Sequence, residues 1–198
     1  MELKFYIGVL AGIFSLAGYV PYAFEIIRGK QKPQRAAWLI WTLTSSLIAL
    51  SYFQLGAWET LWVPIAYVIG TGCITLLSLM KGSEGWGFLE RISLIAAIVS
   101  AVRWVFFDNV LFTLLINLSL SFSSYVNRIK KLAATISQEE EDLPGWTFYF
   151  LGALCNMFAI TTWSIEISTL PIVYFLMNGI TFFLIMRNHL RKKKGVTV

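Results

Sequence analysis

Charged side chains are scarce in this sequence of 198 residues: they make up 14% of it, against about 25% in an ordinary soluble domain. Hydrophobic residues account for 57%, and the mean hydropathy is +0.68. This composition excludes a disordered chain, a soluble enzyme and a free nucleic-acid-binding protein. The net charge of +5 therefore has to be interpreted from where the basic residues lie along the chain.

Cysteine and histidine are also rare, with two cysteines and one histidine in the whole chain. Cys73 and Cys155 both fall within apolar runs, so we expect two unpaired, buried hydrophobic side chains rather than a disulfide. His189 lies in a basic tail, and no zinc-ligand spacing or nucleophile–base pair is present. We therefore expect no metal, no cofactor and no enzymatic activity.

Long apolar runs are abundant. A helix that crosses the hydrocarbon core needs about 20 mostly apolar residues. Seven runs meet this requirement, the fourth and fifth being separated only by a turn at Asp108-Asn109: 5–27, 36–54, 61–80, 90–107, 109–127, 145–162 and 169–187. The sequence predicts an all-α membrane protein with seven transmembrane helices, surrounded by lipid in a cell membrane.

The basic residues predict the orientation of these helices. Fourteen of the sixteen lysines and arginines follow the first, third, fifth and seventh runs, which leaves Lys4 and Arg103 for the other side. Because cytoplasmic loops are rich in Lys and Arg, we expect the N-terminus outside and the C-terminus in the cytoplasm. The Lys192–Lys194 run is then interpreted as an anchor at anionic headgroups rather than as a nucleic-acid-binding tail.

The chain contains an internal repeat at an offset of 107 residues. Val63–Tyr67 falls on Leu170–Tyr174 with Pro, Ile and Tyr identical, and a short gap also pairs Trp38 with Trp146. We therefore predict a first three-helix repeat (1–82), a linker helix (83–108), a second three-helix repeat (109–190) and a basic tail (191–198). The single extra crossing makes the two repeats parallel, and transporters built in this way bind their solute between the repeats.

Two segments of the first repeat carry a family resemblance. Gly18-Tyr19-Val20-Pro21-Tyr22 is followed by a short basic loop and by Trp38-Leu39-Ile40-Trp41. Together with the order of three helices, one linker and three helices, these residues resemble the SWEET, PQ-loop and vitamin-uptake superfamily, and the tryptophan pair is similar to nicotinamide riboside transporters. PQ-loop proteins have Gln where Tyr22 stands here. The resemblance implies a solute transporter without selecting one family.

Five neutral polar side chains lie near the middle of their runs: Ser45, Thr71, Asn117, Asn156 and Asn178. Polar groups at this depth usually face the bundle or a wet cavity, so these residues form a candidate ring around a small neutral polar solute. Asn178-Gly179 also resembles the asparagine that SWEET-like proteins place in the last helix of a repeat. Hydrogen bonding between helices is the alternative role of each asparagine.

Aromatic residues extend this candidate site. Trp38, Trp41 and Ser45 are spaced i, i+3, i+7 and share one helix face, from which the indoles could stack on a sugar or a nucleoside. The alternative for both tryptophans is an aromatic belt at the membrane interface. Tyr67 and Tyr174 are equivalent in the repeat, and either packing between the repeats or contact with the solute would account for them.

The remaining residues address the mechanism. Pro21 lies well inside the first run and is a candidate hinge, whereas Pro64 and Pro171 are expected in the first turns of their helices. No acidic residue is expected at mid-depth, which favours a facilitator over ion-coupled transport. The alternative function is a non-transporting receptor or sorting protein on the same fold. The sequence leaves open whether the protein is a monomer or a homo-oligomer.

Overall fold

The computed structural model describes residues 2–107, 109–134 and 142–193, and these residues form eight α-helices. The helices are α1 (Glu2–Ala17), α2 (Tyr19–Ile27), α3 (Arg35–Gln54), α4 (Trp62–Lys81), α5 (Phe88–Phe107), α6 (Val110–Ala134), α7 (Leu143–Ala159) and α8 (Ile165–Lys193). The predicted turn at Asp108 and the tail from Lys194 onward lie outside the described residues. The all-helical prediction is confirmed for the described part of the chain.

Within the described ranges, five helical stretches are long and apolar enough to cross a membrane: Glu2–Ile27, Arg35–Gln54, Trp62–Lys81, Val110–Lys130 and Ile165–Lys193. They indicate a multi-pass membrane protein. The other two predicted spans correspond to α5 and α7. Three charged residues, Glu90, Arg91 and Arg103, lie within α5, and α7 has only 17 residues. Composition alone therefore does not assign these two helices to the membrane.

Two helices extend beyond the basic ends of the runs predicted for them. Helix α6 continues past Arg128 to Ala134, and α8 continues past Arg187 to Lys193. An apolar run ends at the first basic residue, but Lys and Arg are good helix formers, so a helix can extend beyond the hydrocarbon. Helix α7 instead ends at Ala159, before the predicted residue 162.

The first predicted helix is divided at Gly18 into α1 and α2. Pro21 has no amide hydrogen to donate to the carbonyl of Ala17, four residues earlier, and the helix is interrupted next to that carbonyl. Gly18 keeps helical torsion angles (φ −60°, ψ −24°), so the interruption loosens the helix without reversing it. The break lies where a hinge at Pro21 would need it, and movement at this hinge stays a prediction.

The other two prolines differ from each other. Pro64 lies in the first turn of α4, as expected. Pro171 was also expected in a first turn, but it lies inside α8, which begins at Ile165. This expectation is wrong because the apolar run starts several residues after the helix does. Pro171 consequently leaves the carbonyl of Ile167 without its intrahelical donor.

The helices pack in two similar groups. Helix α4 lies between α1–α2 and α3, and α8 lies between α6 and α7. Across the groups, α1 packs against α7 and α3 packs against α6, while α5 packs against α6 and α3. The basic end of each group is tied in the same way: Lys81 Nζ donates to Ile27 O at 2.6 Å, and Asn188 Nδ2 donates to Leu132 O at 3.1 Å.

The cysteines are unpaired, as expected, but the expectation that both are buried is wrong. Cys73 is exposed on α4, and Cys155 on α7 is half-buried. A helix that faces lipid exposes apolar side chains on its outer surface, so an apolar run does not distinguish the core from the lipid-facing side.

Candidate functional site

A cavity of about 340 Å³ lies between the two groups of helices. Its walls come from α2, α3, α4, α6, α7 and α8. The lining residues are Gly18, Tyr19, Tyr22, Glu25, Gln31, Ala37, Trp38, Trp41, Thr44, Ser45, Tyr67, Thr71, Ser121, Ser124, Tyr125, Arg128, Asp142, Trp146, Tyr149 and Tyr174. This volume is at the lower end of the range for small-molecule sites.

The charged lining residues all lie at one end of the cavity, which we call the mouth. Glu25 is near the end of α2, Arg128 is in the last turns of α6, and Asp142 directly precedes α7. Gln31, in the loop between α2 and α3, is exposed and also lines the cavity. The cavity therefore opens toward the aqueous side on which α2 and α6 end.

Asp142 caps the helix that begins at the mouth. Its Oδ1 accepts a hydrogen bond from the amide of Gly145 at 3.0 Å. Burial raises the pKa of the Asp142 carboxyl above its ordinary value, and the Gly145 amide acts in the opposite direction by stabilising the charged form. Gly145 itself lies against the carbonyl of Gly18, so the start of α7 touches the break between α1 and α2.

The opposite end, which we call the sealed end, is filled by an apolar layer from both groups of helices. Its fully or almost fully buried members include Ala11, Ile48, Tyr52, Leu61, Val63, Leu114, Leu118 and Leu170. Tyr52 Oη donates to Ile167 O at 2.7 Å, the carbonyl that Pro171 leaves without an intrahelical donor. A side chain of α3 thus completes the hydrogen bonding of α8 across this layer.

Nine of the twenty lining residues are aromatic. Tyr22 stacks on Trp38 with ring centroids 5.4 Å apart and planes at 27°, and Trp38 meets Trp41 edge to face at 5.0 Å. At the position equivalent to Trp38, Trp146 carries the Arg128 guanidinium 5.0 Å above its ring. An indole therefore lies on the α3 wall and another on the α7 wall, and the Tyr22 ring stacks on the first while the Arg128 guanidinium lies over the second.

Six of the nine predicted solute-binding residues line this cavity: Trp38, Trp41, Ser45, Tyr67, Thr71 and Tyr174. The helical spacing placed Trp38, Trp41 and Ser45 on one face, and all three lie on the wall. Trp41 is 37% exposed, so its ring also reaches the surface of the bundle. Tyr67 and Tyr174 contact each other with centroids 5.0 Å apart, so they pack between α4 and α8 and also line the cavity.

The three predicted asparagines, Asn117, Asn156 and Asn178, are fully buried and do not line the cavity. Asn117 Nδ2 donates to Ser100 Oγ at 2.9 Å and to Thr113 O at 2.8 Å, which joins α6 to α5. Asn178 Oδ1 accepts from Tyr125 Oη at 3.0 Å and therefore supports the wall from behind. Neither amide atom of Asn156 has a hydrogen-bond partner among the described residues.

Sequence reasoning did not identify several wall residues, among them Tyr19, Tyr22, Tyr125, Trp146 and Tyr149. The repeat contained a usable signal for one of them, because Trp38, which was predicted, pairs with Trp146. Once Trp38 is placed on the wall, its equivalent in a parallel repeat is expected on the opposite wall. The mouth residues Glu25, Arg128 and Asp142 carried no such signal.

The buried asparagines allow a test of structural against solute-binding roles. Replacing Asn156 by Leu is expected to raise the free energy of unfolding by about 1–2 kcal/mol, because it removes a buried amide whose nitrogen and oxygen both lack partners among the described residues. Asn117→Leu is expected to lower it by a similar amount, because the link between α5 and α6 is lost. Thermal unfolding in detergent measures both. Loss of solute binding in Asn156→Leu alone would instead assign Asn156 to the site.

Comparison of the chain with protein-family models, curated proteins and solved structures finds no match. The function is therefore inferred from the chemistry of the cavity, the packing of the helices and the distribution of charge.

Proposed function

We propose that this protein is a membrane transporter for a small, neutral, polar solute. The observation that carries the proposal is the cavity between the two helix groups, which is open at the mouth and closed by the apolar layer at the sealed end. A cavity with access from one side corresponds to one state of an alternating-access cycle. Exchange of the open and closed ends would move the solute across the membrane.

The chemistry of the wall supports a ring-shaped solute with polar substituents. Indole and phenol rings stack on planar rings or on the C–H face of a sugar, and hydroxyl groups such as those of Thr44, Ser45 and Thr71 bind polar substituents. Sugars and nucleoside-like or vitamin-like nutrients combine these two properties. The volume of about 340 Å³ suits a single such unit.

The packing order supports two parallel repeats joined by α5. Exchanging α1–α2, α3 and α4 with α6, α7 and α8 reproduces the order of contacts within each group and the contacts between groups. The ties from Lys81 to Ile27 and from Asn188 to Leu132 are equivalent in this register. In the proposed arrangement α5 and α7 also cross the membrane, and the basic ends, with the mouth, face the cytoplasm.

The position of the charged groups supports a facilitator. Glu25, Arg128 and Asp142 lie at the mouth, whereas the wall at the depth of Ser45 and Thr71 is aromatic and hydroxylic. A carboxylate at mid-depth is the usual carrier of a coupling proton or sodium ion, and the described part of the wall has none there. We infer that the solute moves down its own gradient.

One observation favours the alternative of a non-transporting receptor. Recognition of a charged ligand requires a cation that faces the cavity, and Arg128 lines the wall. Arg103, the other basic residue near the membrane interior, lies over the Phe112 ring at 5.0 Å, between α5 and α6. Transport and reception are distinguished by measuring flux.

The test starts with thermal-shift screening of the purified protein against sugars, nucleosides and vitamins, followed by flux into proteoliposomes. Trp41→Ala is expected to weaken binding of any hit about tenfold, because a stacking surface on the wall is lost. Asn178→Ala should also weaken it, since Tyr125 loses its support. The matched control is Trp58→Ala, which removes an indole outside the cavity that packs on Phe53.

Flux that persists when the proton gradient is collapsed is the expected result for a facilitator. Strict dependence on that gradient would overturn the uncoupled mechanism. Binding without flux in proteoliposomes would favour the receptor, and a hit unaffected by both Trp41→Ala and Asn178→Ala would show that the site lies elsewhere.

A further inference from the structure

We propose that the cavity wall selects solutes that donate hydrogen bonds, an inference that rests on the proposed function and narrows its substrate class. Four hydroxyl side chains on the wall give their protons to carbonyls of their own helices. Thr71 Oγ1 donates to Tyr67 O at 2.7 Å and Thr44 Oγ1 to Trp41 O at 3.1 Å. Ser121 Oγ donates to Asn117 O at 3.1 Å and Ser124 Oγ to Leu120 O at 3.3 Å.

A hydroxyl group has one proton and two lone pairs. Once the proton is used within the helix, the oxygen presents only lone pairs to the cavity. Thr71 and Thr44 both line the cavity, and both hydroxyl protons are taken by carbonyls of their own helices. Threonine and serine in helices commonly adopt this bond to the preceding turn. These four positions of the wall therefore act as hydrogen-bond acceptors.

Tyr125 is a further wall residue whose hydroxyl proton is already used in a hydrogen bond within the protein. Its hydroxyl lines the cavity and donates to Asn178 Oδ1 at 3.0 Å. Asn178 is fully buried behind the wall and does not reach the cavity, so it acts as a positioning residue that fixes the direction of the Tyr125 hydroxyl. The proton of Tyr125 is therefore committed to Asn178 and is not offered to a solute.

Ser45 is the exception among the serine and threonine side chains of this wall. Within the described ranges its hydroxyl makes no bond to a backbone carbonyl, so its proton is available to an acceptor on the solute. Among these side chains, one available proton beside four committed ones favours a solute with at least two O–H or N–H groups at its leading end. Ethers, esters and fully substituted ring nitrogens lack these protons and should bind poorly.

The test compares two probes that share a ring and differ in donors: 1,3-dihydroxybenzene and 1,3-dimethoxybenzene. Both can stack on the aromatic wall, but only the diol can donate. Ligand-observed NMR titration of the purified full-length protein in detergent is expected to show the diol binding at least about tenfold more tightly. Equal affinity, tighter binding of the diether or binding of neither probe would overturn the inference.

Variants separate hydrogen bonding from probe size. Thr71→Val keeps the shape of the wall and removes one acceptor, so the preference for the diol should fall about threefold to fivefold. Thr71→Ser should retain it. The matched control is Thr181→Val, because Thr181 is fully buried and bonded to Met177 O at 2.8 Å in the same way, but lies away from the cavity. An unchanged preference in Thr71→Val would contradict the proposal.

These measurements need no transport, so the two proposals fail separately. A clear preference for the diol combined with no flux of any solute in proteoliposomes would overturn the transporter and leave the wall polarity intact. Flux of a solute combined with no preference between the probes would overturn the wall polarity and leave the transporter intact.

Discussion

Tyr52→Phe is expected to open the sealed end of the cavity and to lower the stability of the protein. The substitution keeps the ring within the apolar layer but leaves the carbonyl of Ile167 buried without a donor, since Pro171 cannot supply one. A buried polar group left without its partner costs about 1–3 kcal/mol, and 1.4 kcal/mol changes an equilibrium tenfold. The penalty applies mainly to the state in which this layer is dry.

The measurement is the labelling of a Ser45→Cys probe by a membrane-impermeant thiol reagent, with Cys73 and Cys155 replaced by serine. Labelling from the sealed side should rise about tenfold in the Tyr52→Phe background. Ser51→Ala is the matched control, because Ser51 is the adjacent buried residue and donates to Leu47 O of its own helix at 2.8 Å. Equal labelling in both variants would show that the Tyr52 bond does not hold this end closed.

Gly8→Ala is expected to destabilise the protein by about 3 kcal/mol through overpacking. A Cβ atom added at Gly8 would overlap the carbonyl oxygen of Glu59, which belongs to the backbone and cannot rotate away. At Gly12, the next glycine on this face, an added Cβ would also lie within 2.8 Å of the carbonyl oxygen of Trp62, so a local shift at Gly8 alone does not relieve the overlap. The helices would have to move apart along their length.

The matched control for this prediction is Gly72→Ala on α4, where an added Cβ meets no atom within 4 Å. That variant should gain roughly 0.5–1 kcal/mol, because alanine is a better helix former than glycine. Thermal unfolding of both variants in the same detergent gives the comparison. A Gly8→Ala protein as stable as Gly72→Ala would show that α1 does not approach this backbone closely.

Hydropathy predicted the helices because the length of an apolar run is read directly from the sequence. It did not predict helix ends and hydrogen bonds that depend on how the helices pack. It did not predict the break at Gly18 as a helix end, although Pro21 indicated where the bonding would fail. It also started the last helix too late, which placed Pro171 in a first turn and concealed the free carbonyl that Tyr52 binds. Both errors concern which carbonyl loses its donor.

Packing also limited how far the candidate site could be predicted from the sequence. The spacing of Trp38, Trp41 and Ser45 fixed a direction around the helix, and those residues line the cavity. The asparagines were selected by depth alone, which fixes a level along the helix but not the side that it faces. Asn117 and Asn178 are buried and bond to neighbouring side chains instead of facing the cavity. The mouth depends on the positions of loops and helix ends, which no periodicity predicts.

The two halves of the molecule are not mechanically equivalent. The first carries an interruption at Gly18, with the start of α7 resting against it, whereas α6, its counterpart, is continuous from Val110 to Ala134 and contains no proline. The first helix can bend at Gly18, whereas α6 has no such interruption and can only tilt as one rigid helix. If the protein exchanges access as proposed, α2 is therefore expected to move further than the corresponding end of α6.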